Sequence, residues 1–423
     1  MTTLEDAAEA IVDPLAYANG ARVDEAFAWL RREAPLARVQ PEGYDPFWAV
    51  TRHADILAVE LANDVFRNGD RATTLTTIDA DRRVREMNGG SPHVGRSLVH
   101  MDPPDHFAYR RITQNAFLPQ NLRRLEGRLR EIAREFIDRM AAHGGRCDFA
   151  RDVAFLYPLR VIMELLGVPP SDEGLMLKLT MELFGSADPD VNRSGGEVSK
   201  VQSVDDVHAA LDDFASYFAA LAADRQAHPR DDVGSLIANG RIRGEPMPPV
   251  ELMSYYAITA TAGHDTTSST TAGGLWALAE NPEQFRKLKA DPALIPGHVE
   301  ESIRWVTPVK HFMRTAAADV EIAGQRIARG DWLMLCYASG NRDEAVFDDP
   351  FRYDVERAPN KQLAFGYGAH VCLGQHLARM EMRLFWEELL PRLESFELDG
   401  EPTRTKANLV CGPKSLPIRY KMR

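Results

Sequence analysis

The decapeptide FGYGAHVCLG, residues 365–374, gathers three glycines, two aromatic rings and a histidine around a single cysteine. Directly after it, LGQHLARMEMRLFWEELLPRL, residues 373–393, carries Leu373, Leu377, Met380, Leu384 and Leu389 at offsets of roughly three to four residues. That spacing lays an apolar stripe along one face of a helix and predicts Cys372 in its first turn. Unsatisfied backbone N–H groups and the positive end of the helix dipole favour a thiolate there. The glycines permit positive φ, so the loop can fold back and turn further N–H groups toward the sulfur. A thiolate is both a nucleophile and a metal ligand. Taken alone, the pattern fits a buried structural cysteine equally well, because free cysteine is often plain core.

The chain has 423 residues, which implies either two domains or one large fold with an extended core. No run approaches the roughly 18 apolar residues of a membrane span, and the start MTTLEDAAEA lacks an apolar signal core, so the expected location is cytoplasmic. Cys147, Cys336, Cys372 and Cys411 are too few and too scattered for a disulfide frame or a four-thiolate metal site. A net charge of −12 argues against a general nucleic-acid binder.

No internal repeat or low-complexity segment is present. Helical patterns dominate, with strands expected at FWAVTR near Phe47, at ADVEIAGQRI around Val320 and at DWLMLCY, residues 331–337. Two polar, glycine-bearing regions, residues 70–97 and 186–203, read as mobile surface loops.

The longest helix candidate is residues 250–282, without an internal proline and about 45 Å long at roughly 1.5 Å per residue. Its middle, TATAGHDTTSSTTAGG, residues 259–274, crowds small and β-branched residues where propensity asks for Leu, Glu and Lys. A threonine hydroxyl bonded to the carbonyl four residues back opens such a turn and leaves a notch beside Gly263. Asp265 and Thr266 set an acid and an alcohol at the notch, the pair a proton relay needs. A Thr-rich helix packed closely on a neighbour is the ordinary alternative.

Three smaller signals follow. EESIRW sets Glu301 and Arg304 three apart on one helix face, spacing that most often marks a surface ion pair. HMDPPDHFAYRR sets His106 and Arg110 on one face after a proline pair, and HFMRTA carries Arg314 just before the strand at Val320.

In this order and spacing the motifs resemble the cytochrome P450 family of haem-thiolate monooxygenases, from about residue 40 to the end. The resemblance implies a mainly α fold with small β-sheets: a single triangular helical domain over residues 1–423, with the first ~40 peripheral and a long kinked central helix. It makes Cys372 the iron ligand of haem b, iron protoporphyrin IX, with Phe365 over the sulfur and Gly366 and Gly368 shaping the turn. Ala262, Gly263 and Gly374 join the cofactor contacts. His106, Arg110, Arg314 and His370 become four cations at the propionates, since buried charges need partners. Glu301, Arg304 and Arg357, the last in DVERAPN, become a structural trio.

The implied chemistry inserts one oxygen atom of O2 into a C–H bond. The thiolate favours O–O cleavage, and Asp265 and Thr266 deliver protons. The subgroup that hydroxylates α-terpineol and related terpenes or alkyl-aromatics is most similar in the cysteine helix and in NLVCGPKSLPIRYKM, residues 408–422. Ile258, Ala262, Val309, Phe312 and Val410 offer a small, apolar lining for such a substrate, with Lys310 and His311 as polar departures. The loops around Ile78 and Phe184 are expected to close over it. Electrons are expected from NAD(P)H through a reductase and an acidic iron–sulfur ferredoxin, with the chain a monomer. Residues 110–139 hold eight arginines against four acids, a basic patch suited to that donor. A peroxygenase on the same fold lacks the acid–alcohol pair. A thiolate-haem gas sensor needs neither a relay nor a lid.

Overall fold

The stripe after Cys372 folds as the helix Gln375–Arg392, which buries Leu377, Leu384, Phe385, Trp386 and Leu389. It starts later than the spacing implied. Gly374 is its N-cap, so Cys372 lies in the preceding turn rather than in the helix. The helix packs between Glu126–Ala142 and Ile295–Val306. Around it, the computed structural model, which describes residues 3–184, 188–190 and 204–423, is mainly helical with small sheets.

The expected 250–282 helix is two helices, Pro249–Ala262 and Asp265–Glu280, separated at Gly263 and His264. The break has the predicted cause. Thr259, Thr261, Thr266, Ser268, Thr270 and Thr271 each donate a hydroxyl to the carbonyl four residues earlier. A Cβ on Gly263 would meet Ile162 Cδ1 at 2.9 Å, so the break is also packed. Neither half is the longest described helix, which is Val204–Ala227.

A five-stranded sheet runs Leu36–Val39, Phe47–Val50, Trp332–Cys336, His311–Ala316, Phe66–Arg67. Trp332–Cys336 pairs parallel with Phe47–Val50 and antiparallel with His311–Ala316. Arg314 lies ahead of the Val320 region as expected but in a strand of its own, and the Val320 region is a hairpin of Val320–Ile322 with Gln325–Ile327. The stretch expected to flank the domain carries three helices, Leu4–Val12, Pro14–Asn19 and Ala21–Glu33. Ala7, Ala10, Ile11 and Val12 are fully buried in a cluster that includes Phe47 and Trp332.

Residues 70–97 are not all loop, since Ile78–Met87 is a helix capped by the Thr77 hydroxyl. Of the second expected loop, only residues 188–190 are described, and the side chain of Phe184 also lies outside the described residues. His311 fastens the first region. Its Nε2 accepts from Leu75 N at 3.0 Å and its Nδ1 donates to Asn408 O, 3.1 Å away. Asn408 Nδ2 in turn donates to Val12 O at 2.8 Å. Fully buried, His311 is a structural tie rather than the polar pocket group the sequence suggested, and Lys310 turns its Nζ to Val306 O.

The basic patch of residues 110–139 is largely neutralised within the fold. Arg124 pairs with Asp231, Arg128 with Glu131, Glu135 and Glu164, and Arg130 with Glu126, Glu387 and Glu388. Arg134 pairs with Glu388 and Arg139 with Glu173. Most of the acidic partners lie outside the stretch, which is why local counting overstated the surplus.

Candidate active site

Cys372 is held by backbone. Its N–H donates to Phe365 O at 2.8 Å, which closes the loop on itself. Gly366 and Gly368 take φ of +64° and +68°, as their place in the turn requires. A Cβ on Gly368 would lie 2.3 Å from Glu60 O, so the helix His53–Leu61 seals the loop from behind. Arg379 lies with its Cζ 4.5 Å from the Phe365 ring centroid, its charge met by Glu300. The sulfur is not biased to thiolate as the helix-terminus argument expected. Burial pushes the thiol above its ordinary value, although backbone N–H groups of Gly374 and Gln375 and the charges of Arg110 and Arg379 pull it down. Among the described residues no group of three or more His, Cys, Asp or Glu converges as metal ligands, so this thiol stands alone.

Next to it the helix Asp105–Gln114 presents His106 and Arg110. Arg110 Nη2 donates to Val371 O at 2.7 Å, bracing the residue before the cysteine. The His106 and His370 rings lie 4.2 Å apart, and neither His106 Nδ1 nor His370 Nε2, both buried, has a hydrogen-bond partner among the described residues. The two histidines of the expected four-cation set are shifted by their surroundings in the chain alone. Burial, reinforced by the nearby arginines, lowers His106 to about 4 and His370 to about 2, so both rings are neutral. Arg314 is already paired, its Nη2 2.9 Å from Glu60 Oε1.

Across the break, Asp265 keeps 15% of its side chain exposed. Thr266 Oγ1 donates to Ala262 O at 2.8 Å, which leaves its lone pairs free to accept. Ile258, Ala262 and Thr266, at i, i+4 and i+8, stay solvent-accessible on one face, while Ala257, Ala260, Thr261 and Thr267 are buried. Val309 bridges to Val410, which joins two expected lining residues, and Phe312 shares a strand face with Arg314. A polar cavity of about 630 Å³ between Asp70, His93, Arg96, His100, Asp105 and Arg243 shares no lining residue with this set.

The third expected group sits below. Glu301 and Arg304 are fully buried and bonded to each other at 2.7 and 2.8 Å, far from the surface decoration such spacing usually marks. Arg357 Nε reaches both Glu301 oxygens at 3.1 Å, and Asn360 and the Asp354 N–H complete the shell. Arg304 then donates to the carbonyls of Asn341, Pro350 and Arg352.

The family model for cytochrome P450 matches residues 199–421. Along 99% of this chain and 98% of its own length, Cytochrome P450-terp of Pseudomonas sp is 46% identical. The chain belongs to the cytochrome P450 family. Linalool 8-monooxygenase of Pseudomonas putida is 34% identical over 93% of this chain and 94% of its own. Among solved structures, CYP108D1 from Novosphingobium aromaticivorans superposes with a TM-score of 0.91 at 46% identity, covering 99% of each chain. A Mycobacterium marinum P450 in complex with pseudoionone gives 0.86 at 33% identity over 95% of each. Like its family, this P450 is a monooxygenase that uses haem and O2.

The residues present fit that group. A lone thiol on a glycine loop suits an iron ligand, and two buried ring nitrogens without partners suit carboxylates arriving with a cofactor. Sequence reasoning overlooked His264 and Glu60. His264 was visible inside AGHDTT, whereas Glu60 lies in an unremarkable helix and is revealed only by its distant partners.

Proposed function

We propose that this P450 binds haem b with Cys372 as the iron ligand and oxidises a C–H bond of a small hydrophobic terpene or alkyl-aromatic. The observation that carries the cofactor assignment is the pair of buried nitrogens, His106 Nδ1 and His370 Nε2, without partners beside Arg110 and the cysteine loop. Each neutral ring offers one N–H to a propionate, and Arg110 and Arg314 add charge-assisted donors. Phe365, Gly366, Ala262, Gly263 and Gly374 enclose the ring system. When bound, the haem supplies O2 activation and oxygen transfer, and its thiolate ligand favours O–O cleavage. The chain supplies the protons. Asp265, open to solvent at the break, acts as acid, and Thr266, fixed by its bond to Ala262, orients the water that carries each proton inward.

Ile258, Ala262, Val309, Phe312 and Val410 line the substrate side, and the likeness to Cytochrome P450-terp and linalool 8-monooxygenase supports a terpene. NAD(P)H, a reductase and an acidic ferredoxin provide the electrons. On the side of the helix Asp105–Gln114, Arg111 and Arg123 are exposed and make no ion pair among the described residues, so they are the residues of the original patch left to meet an acidic donor. The chain works as a cytoplasmic monomer with a single domain.

Cys372→Ser tests the ligand. It should abolish the carbon monoxide difference band of a thiolate haem, while serine at Cys147, Cys336 or Cys411 leaves the band intact. A normal band in Cys372→Ser refutes the assignment. A panel of terpenes and alkyl-aromatics screened for displacement of the iron-bound water tests the substrate class, and tight binding of a multiply charged ligand instead would contradict it.

A further inference from the structure

Glu60, in the helix His53–Leu61, is 4% exposed and receives donors from three separate parts of the chain. Arg314 Nη2 and Tyr337 OH reach Oε1 at 2.9 and 2.5 Å, and Tyr367 N, within the cysteine loop, reaches Oε2 at 2.8 Å. Among the described residues its two oxygens take these three donors, one of them a guanidinium, so it sits as a charge-paired carboxylate. The other terminal nitrogen of the guanidinium, Nη1, is tied to Met313 O at 2.9 Å.

Holding an arginine in place does not require a buried carboxylate, since a carbonyl would do so without a charge. Two consequences follow from using one. Arg314 reaches the cofactor site with its charge already balanced, so it acts there as an oriented donor rather than as an uncompensated cation. The Tyr367 N–H ties the cysteine loop to the carboxylate that fixes Arg314, so the ligand side and the carboxylate side of the cofactor share one rigid link. Gly366 is part of that fit, because a Cβ there would lie 3.1 Å from Glu60 Oε2.

We infer that Glu60 is a positioning residue that locks Arg314 to the cysteine loop and sets the electrostatic field in which the haem iron is reduced. The inference rests on haem binding at Cys372. Reduction adds an electron, so a fixed negative charge nearby favours the ferric state, and the field is strongest where water is excluded. Glu60→Gln keeps the shape and removes the charge. Tyr337→Phe removes a donor that partly screens the charge, so it acts with the opposite sign.

The test is a spectroelectrochemical titration of the holoenzyme and both variants, each first checked for the thiolate carbon monoxide band. Glu60→Gln should shift the midpoint potential to more positive values, a several-fold gain in the one-electron reduction equilibrium. A potential equal to the parent's, or a more negative one, overturns the inference and leaves Glu60 purely structural. Should Glu60→Gln give no folded holoenzyme, Tyr337→Phe decides: a more negative potential supports the role, and no shift or a positive one overturns it. Absence of the thiolate band in the parent enzyme would instead strike the Cys372 assignment, and it is seen before any potential is measured.

Discussion

His264 Nδ1 stands 3.1 Å from Asp265 Oδ1, and the same ring is anchored through Nε2 to Phe155 O at 2.7 Å. The imidazole is fully buried, and Phe155 follows the π-helical turn Ala150–Ala154. The break in the central helix is thus stapled to a second irregular turn through the ring beside Asp265.

Placement of the acid and the alcohol predicts different defects. Asp265→Asn should lower kcat by about 10² while substrate binding is retained, because the proton source is lost. Thr266→Ala should retain haem and substrate binding but release most of the consumed electrons as hydrogen peroxide. Product and peroxide measured per NAD(P)H consumed separate the two. Unchanged rate and coupling in both variants would place proton entry elsewhere.

Glu301 accepts bonds from Arg304, Arg357, Asn360 and the Asp354 N–H, so Glu301→Gln leaves a buried guanidinium without its counter-charge. The expected cost is about 3–5 kcal/mol, read as a large drop in the denaturant midpoint or as failure to accumulate folded protein. A midpoint within experimental error of the parent would mean that Arg304's carbonyl bonds suffice.

Burial lowers His298 to about 3 and His311 to about 4, from 6.5. Their protons therefore bind the unfolded chain in preference. Stability is complete above pH 6.5 and falls as the pH drops from 6.5 toward 4, by about 1.4 kcal/mol per pH unit for each such histidine. His311→Gln should flatten that decline by about one proton's worth in urea unfolding at pH 7, 6 and 5. An unaltered slope would show that His311 is protonated in the fold.

Charge reversal at Arg111 and Arg123 should slow reduction by ferredoxin at low salt, with the deficit shrinking as ionic strength rises. Arg130→Glu should behave otherwise. It would face Glu126, Glu387 and Glu388, and so should lower thermal stability rather than affect the donor specifically. If reduction by ferredoxin is as fast in the Arg111 and Arg123 variant as in the parent, the donor docks on another face.

What the sequence revealed was whatever a motif concentrates within a few residues. Gly366 and Gly368 declare their positive φ beside Cys372, the Thr-rich run declares the break, and Glu301 with Arg304 falls into helical spacing. What stayed hidden depends on partners far away in the chain. Arg128 and Arg130 look free until Glu164, Glu387 and Glu388 are folded against them. Cys372 looks like a thiolate until its burial outweighs the N–H groups around it. Lys310 and His311 look like pocket residues until carbonyls and an amide claim their side chains.

The His311 tie bears on how this enzyme could be re-purposed. One imidazole joins Leu75 to Asn408, and Asn408 joins Val12, so the N-terminal helices, the segment around Leu75 and the C-terminal turn carrying Val410 form one mechanical unit. Exchanging the C-terminal turn for that of a relative would disturb residues some 400 positions upstream. Loop grafts meant to alter selectivity should therefore move all three segments together, or leave residue 408 untouched and vary only Val309 and Val410.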